Sequence, residues 1–70
     1  MFTLKDTFNN VTVSRHRTAK AALRAQFAHL RAVRRHNGQN SYLTYEILEN
    51  GRPVDENMII RLEADILRYL

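Results

Sequence analysis

The chain contains no cysteine and no tryptophan, and it has only one proline and two glycines among its 70 residues. Without cysteine, neither a disulfide nor a thiolate metal site is possible, which is consistent with a reducing compartment. No stretch approaches the roughly 20 apolar residues that a membrane span needs. The amino terminus also has no basic segment followed by a long apolar run. We therefore expect a soluble, cytoplasmic protein that does not bind membranes.

Acidic side chains are absent from residues 15–36, which carry seven arginines and lysines and all three histidines of the chain. Residues 37–70, by contrast, hold three arginines and six acidic residues, so the net charge of +4 understates the local field. Such asymmetry steers anionic partners and is typical of contact with nucleic acid. The alternative is that the arginines only solvate the surface of an alanine-rich helix.

The first 13 residues have the pattern of a β-hairpin. Apolar residues alternate with polar ones on both sides of Asn9 and Asn10, which tolerate the positive φ angles of a tight turn. We expect Phe8 to share the apolar face of this hairpin. Asp6 falls on the same side, which indicates a bulge or an edge position.

A long basic helix is predicted over residues 19–36. Thr18 or Ser14 can cap its start, and Asn37 with Gly38 can end it. At about 100° per residue, one side of this helix is largely apolar: Ala19, Ala22, Leu23, Gln26, Leu30 and Val33, with Phe27 at its edge. A neighbouring sector of about 100° is basic, and we call it the basic stripe: Lys20, Arg24, Arg31, Arg34 and Arg35, joined by Arg17 if the helix extends that far back.

The remainder of the chain predicts a strand, a turn and a second helix. Residues 42–48 favour β-structure, and the Asn-Gly pair at 50–51 is a strong hairpin signal. Pro53 limits any returning strand to a short edge segment. Asp55 can then cap a final helix that runs from 56 to about 69.

The sequence therefore predicts a single small α+β domain over residues 1–70. It consists of an N-terminal β-hairpin, the long basic helix, a strand or short hairpin, and a C-terminal amphipathic helix packed on an antiparallel sheet.

The final helix has apolar residues on two sides. Its broad side is expected to face the core: Met58, Ile59, Leu62, Ile66, Tyr69 and Leu70. A second group on the opposite side, which we call the apolar seam, consists of Ile60, Ala64 and Leu67. Either a strand covers this seam, or it forms a homodimer interface.

The residues expected to contact nucleic acid lie along the basic helix and in the loop after it: Arg15, His16, Arg17, Lys20, Arg24, Arg31, Arg34, Arg35, Gln39 and Asn40. The start of the helix gives the strongest indication of binding, because cations there oppose the helix dipole and no acid in that segment offsets them. Free backbone N–H groups beside arginines would instead suit a phosphate. At the helix end, by contrast, the dipole favours positive charge. Gln39 and Asn40 have amides that can bond base edges, or they are ordinary turn residues.

Two further groups of side chains could take part in binding or in chemistry. Tyr42 and Tyr45 could stack on bases, or pack with their hydroxyls in water. His16, His29 and His36 are too widely spaced for a metal pair on one helix, and no acid or cysteine lies near them in sequence. We therefore expect no metal, no cofactor and no catalytic residue.

We predict a small, non-catalytic nucleic-acid-binding protein, for DNA or RNA, that contacts phosphates through its basic helix and the adjoining polar loop. The alternative is a protein-interaction module, such as a small regulator or inhibitor, whose basic face binds an acidic protein surface.

Overall fold

The computed structural model describes residues 1–38 and 43–68. Its elements are the strands β1 (Phe2–Asp6) and β2 (Val11–His16), the helix α1 (Ala19–Asn37), the strands β3 (Tyr45–Glu49) and β4 (Arg52–Pro53), and the helix α2 (Glu56–Arg68). The four strands form one antiparallel sheet in the order β2-β1-β3-β4. The predicted α+β class and element order are confirmed, and of the predicted strand or short hairpin after α1 the structure has the short hairpin of β3 and β4.

The N-terminal hairpin is longer than predicted, because β2 continues to His16. Asn10 has the positive φ of 57° that the turn requires. Phe8 lies in the turn and is 65% exposed, so its predicted place on the apolar face is wrong. The pairing of β1 with β2 shifts register between Leu4 and Lys5.

Asp6 is buried, and it lies in a central strand rather than at an edge, since β1 pairs with both β2 and β3. Its carboxylate accepts hydrogen bonds from the backbone N–H groups of Phe8 and Asn9, at 2.9 and 3.0 Å, and from the side-chain amide of Asn9 at 2.8 Å. These bonds, chiefly those from Asn9, lower the pKa of Asp6. Asp6, which interrupts the apolar alternation of β1, therefore stabilises the turn.

Helix α1 begins and ends where its capping residues predict. The Thr18 hydroxyl accepts a hydrogen bond from the N–H of Ala21 at 3.1 Å, so Thr18 and not Ser14 is the N-cap. Gly38 has a φ of 102°, and its N–H donates to the carbonyl of Arg34 at 2.9 Å.

The second half of the chain also follows its turn and capping signals. Asn50 and Gly51 both have positive φ, 51° and 85°, as a two-residue hairpin needs. Strand β4 is a short edge strand that contains Pro53. The carboxylate of Asp55 accepts a hydrogen bond from the N–H of Asn57 at 3.2 Å, at the start of α2.

The core lies between the helices and one face of the sheet. Its buried members come from β1, α1, β3 and α2: Leu4, Ala22, Leu23, Ile47 and Ile66. The helices run antiparallel, because Lys20 near the start of α1 contacts Asp65 near the end of α2, while Gln26 further along α1 shares a cavity with Ile59. The core is concentrated on the first half of α1, since its buried residues end at Leu23.

Candidate nucleic-acid interface

The basic stripe lies on the solvent-facing side of α1. Arg24, Arg31, Arg34 and Arg35 are all exposed, whereas the buried residues of the helix face the sheet and α2. At a rise of 1.5 Å per residue, the distance along the axis from Arg24 to Arg35 is about 17 Å. Four cationic side chains thus follow one another along an open surface.

Lys20 differs from the rest of the stripe, because its ammonium contacts the carboxylate of Asp65 with an Nζ–Oδ2 distance of 2.5 Å. The expectation that no acid offsets the charges at the start of α1 is therefore wrong for Lys20. The partner lies 45 residues away in sequence and is supplied by α2. Lys20 thus joins the two helices and is less available to a phosphate than the exposed arginines.

The pKa of Asp65 is lowered by its hydrogen bond to Lys20 and by the positive charge of that lysine. The positive charges of Arg68 and Arg24 lower it further. Asp65 is therefore an anion held within a basic surface that extends from α1 onto α2.

Arg15, His16 and Arg17 do not continue the basic stripe. Arg15 pairs with Thr3 on the sheet face opposite to the helices, and its side chain is exposed there. His16 is half-buried on the helix side, where its Nε2 lies 2.7 Å from the hydroxyl of Ser14. Arg17 is exposed in the bend before Thr18 and lies outside the helix.

Tyr45 does not have the exposed ring that base stacking would require. It is half-buried, and its hydroxyl lies 2.5 Å from Nδ1 of His29, with the two rings edge to face at 5.6 Å. Burial and the charge of Asp6 raise the pKa of Tyr45. Tyr45 and His29 are therefore packing partners between β3 and α1. The predicted contacts Gln39 and Asn40, and the tyrosine at 42, lie outside the described residues.

Two arginines of α2 that were not among the predicted contacts extend the basic surface. Arg61 and Arg68 are exposed and lie on one side of α2, because they are seven residues apart, on either side of Asp65. The seven-residue spacing could have indicated that both arginines lie on one side of the helix. The six acidic residues between 37 and 70 give that segment a net negative charge, which argued against a basic surface there.

The surface over the stripe suits an extended partner better than a small molecule. Near the end of α1 there is an open depression along the helix, lined by Ala28, Arg31, Ala32 and Arg35. Across residues 1–38 and 43–68, no group of three histidine or acidic side chains could hold a metal ion. The chemistry that this surface offers is the binding of anions by guanidinium groups.

The apolar seam of α2 is open to solvent. Ile60 and Leu67 are 55% and 56% exposed, and Ala64 is exposed as well. Within the described part of the chain no strand lies over this side of α2, so the predicted alternative of a covering strand is wrong. The seam has the exposure that an interface with another molecule requires.

Comparison with protein-family models, with curated proteins and with solved structures finds no match to this chain. Neither helix of the described structure combines the length and the apolar character needed to cross a membrane.

Proposed function

We propose that this protein binds nucleic acid without catalysing a reaction, and that the exposed arginines of α1 are its main contacts. The observation that carries the proposal is the alignment of Arg24, Arg31, Arg34 and Arg35 on one exposed face of a helix that contains no acidic residue. Guanidinium groups bind phosphate oxygens in pairs of hydrogen bonds, so four in line favour a polyanion over a single ion.

The length of the stripe is compatible with a nucleic-acid backbone. Double-stranded DNA carries one negative charge per about 1.7 Å of its axis, so a basic stripe about 17 Å long would meet dense negative charge along its whole length. Contacts of this kind depend little on sequence and release counterions from the nucleic acid. Gln39 and Asn40, which follow the helix, remain the predicted source of any contact to base edges.

A titration of fluorescently labelled short DNA and RNA, in single- and double-stranded forms, tests the proposal. Fluorescence anisotropy should show binding in low salt that weakens steeply at physiological salt, because bound phosphates no longer hold counterions. The absence of binding to every probe in low salt would contradict the proposal.

The alternative partner is an acidic protein, and the observation in its favour is the exposed apolar seam of α2. Interfaces between proteins combine an apolar centre with a polar rim, and Ile60 and Leu67 beside Arg61 and Arg68 offer both. A protein captured from lysate that persists after nuclease treatment, together with no binding to purified DNA or RNA, would favour this alternative.

Self-association is also part of the proposal. The seam residues Ile60, Ala64 and Leu67 are the predicted homodimer interface, and their exposure supports that assignment. A dimer would present two basic stripes to one nucleic-acid molecule, which raises affinity without new contacts.

A further inference from the structure

The exposed side of α2 carries the spacing of a coiled-coil helix. Asn57, Ile60, Ala64 and Leu67 follow one another at intervals of three, four and three residues, and all four are exposed. In the heptad notation abcdefg these residues take positions a, d, a and d, which form the contact seam between paired helices. The core residue Ile66 then falls at position c, on the far side of the helix, so the domain does not obstruct the seam.

The residues that flank the seam have opposite charges on its two sides. Glu56 and Glu63 occupy the g positions on one side, and Arg61 and Arg68 occupy the e positions on the other. Three of these four side chains are exposed, and Glu63 is partly exposed. The two glutamates therefore line one side of the seam and the two arginines line the other.

The charge pattern distinguishes between the two ways in which a second copy of α2 can pack. In a parallel pair, each g position faces the e position five residues later in the other helix. Glu56 would then meet Arg61, and Glu63 would meet Arg68, twice each because of the two-fold axis. In an antiparallel pair, g faces g and e faces e, so glutamate meets glutamate and arginine meets arginine. The parallel arrangement brings unlike charges together and the antiparallel arrangement brings like charges together.

Asn57 supports the same arrangement. A single asparagine at an a position sets the register and the two-stranded state of parallel coiled coils, because it pairs with its own counterpart across the axis. Ala64 at the other a position lets the two backbones approach closely. The isoleucine and leucine side chains at the two d positions supply the apolar contact.

We propose that this protein forms a parallel two-fold dimer through α2, in which Asn57, Ile60, Ala64 and Leu67 pair with their counterparts and two glutamate–arginine pairs close each side. The inference develops the self-association part of the proposed function and does not require nucleic acid. The seam covers about two heptads, so we expect the dimer to dissociate in the micromolar range.

Charge exchange tests the proposal directly, with sedimentation equilibrium of the whole protein in the absence of nucleic acid. In the parallel dimer, Glu63→Arg sets two arginines against each other at the contact with position 68, and Arg68→Glu sets two glutamates against each other there. Each single variant should dimerise about tenfold more weakly or worse, since two attractive pairs become repulsive. The double variant should recover the affinity of the original protein, and an equimolar mixture of the two single variants should form a heterodimer.

The antiparallel alternative gives a different result. There, glutamate already faces glutamate and arginine already faces arginine, so neither single substitution removes an attractive pair between the helices. Each single variant would then dimerise at least as tightly as the original protein. This outcome, or a protein that remains monomeric at high micromolar concentration, would overturn the proposal.

Disulfide trapping gives an independent measurement of orientation, since the natural chain has no cysteine. Asn57→Cys should form a covalent dimer rapidly under mild oxidation, because the two copies of residue 57 adjoin only in the parallel arrangement. Ala32→Cys, at an exposed position of α1, is the matched control and should cross-link slowly. Equal rates for the two variants would contradict the proposed interface. Both measurements are independent of nucleic-acid binding, so failure of the dimer and failure of the proposed function are distinguishable.

Discussion

The two faces of α2 can be compared by making the same substitution on each. Ile66 is 7% exposed and belongs to the core, whereas Ile60 is 55% exposed in the seam. Replacing a buried isoleucine with alanine costs about 2–5 kcal/mol through lost burial and the cavity left behind. A domain of this size rarely has more than about 3–5 kcal/mol of stability in total. Ile66→Ala should therefore leave the protein marginally folded or unfolded.

Ile60→Ala should behave differently at a protein concentration too low for dimers. An exposed substitution changes stability by about 0.5 kcal/mol or less, and alanine is slightly the better helix former. Thermal unfolding followed by circular dichroism makes the comparison, since about 1 kcal/mol corresponds to about 4–8 °C in a domain of this length. Ile66→Ala should lower Tm by about 8 °C or more, and Ile60→Ala should hardly change it. A similar decrease in Tm for the two variants would refute the orientation of α2, and with it the assignment of Ile60 to an exposed seam.

Three further predictions concern charged and polar groups. The pKa of Asp6 is lowered on folding, so the stability that it contributes is present above its unfolded pKa of about 4 and is lost as pH falls through the lower folded value. Asp6→Asn should therefore reduce stability at neutral pH and weaken its decline in acid, as measured by urea unfolding across pH. Asp65→Asn should free Lys20 and remove an anion from the basic surface. Nucleic-acid binding should therefore strengthen, and the slope of log K against log salt should steepen by about one. Unchanged binding would argue against a role for this surface. Tyr45→Phe should remove the bond to His29 and lower stability by about 1 kcal/mol, while leaving nucleic-acid affinity unchanged in the anisotropy assay.

Local signals in the sequence were sufficient to predict most of the fold. Thr18 at the start of α1, Gly38 at its end and the Asn50-Gly51 turn act within a few residues, and each is found in its predicted role. These signals are reliable because the capping hydroxyl or the positive φ depends on the residue itself rather than on distant contacts.

The contacts that join distant segments could not be predicted in the same way. The pairing of Lys20 with Asp65 links residues that only the antiparallel packing of the helices brings together. The burial of Tyr45 against His29 likewise depends on how α1 crosses the sheet. Consequently the predicted arginines of α1 are exposed, whereas Lys20 is engaged in an ion pair. The side chains of α1 that are most available to an anion therefore lie in its middle and at its end, not at its start.

The central claim is that the exposed arginines of α1 bind phosphates, and matched double variants test it most directly. Arg31→Gln with Arg35→Gln removes two charges from the stripe, while Lys5→Gln with Arg52→Gln removes two charges from the sheet, where no contact is predicted. If both stripe arginines contact phosphates, the slope of log K against log salt should decrease in magnitude by about 1.8, and affinity near 0.1 M salt should fall about 60-fold.

The control variant has the same net charge as the stripe variant and should keep nearly the original slope. Equal losses of slope for the two double variants would mean that net charge alone drives binding, and would contradict the assignment of the interface to α1.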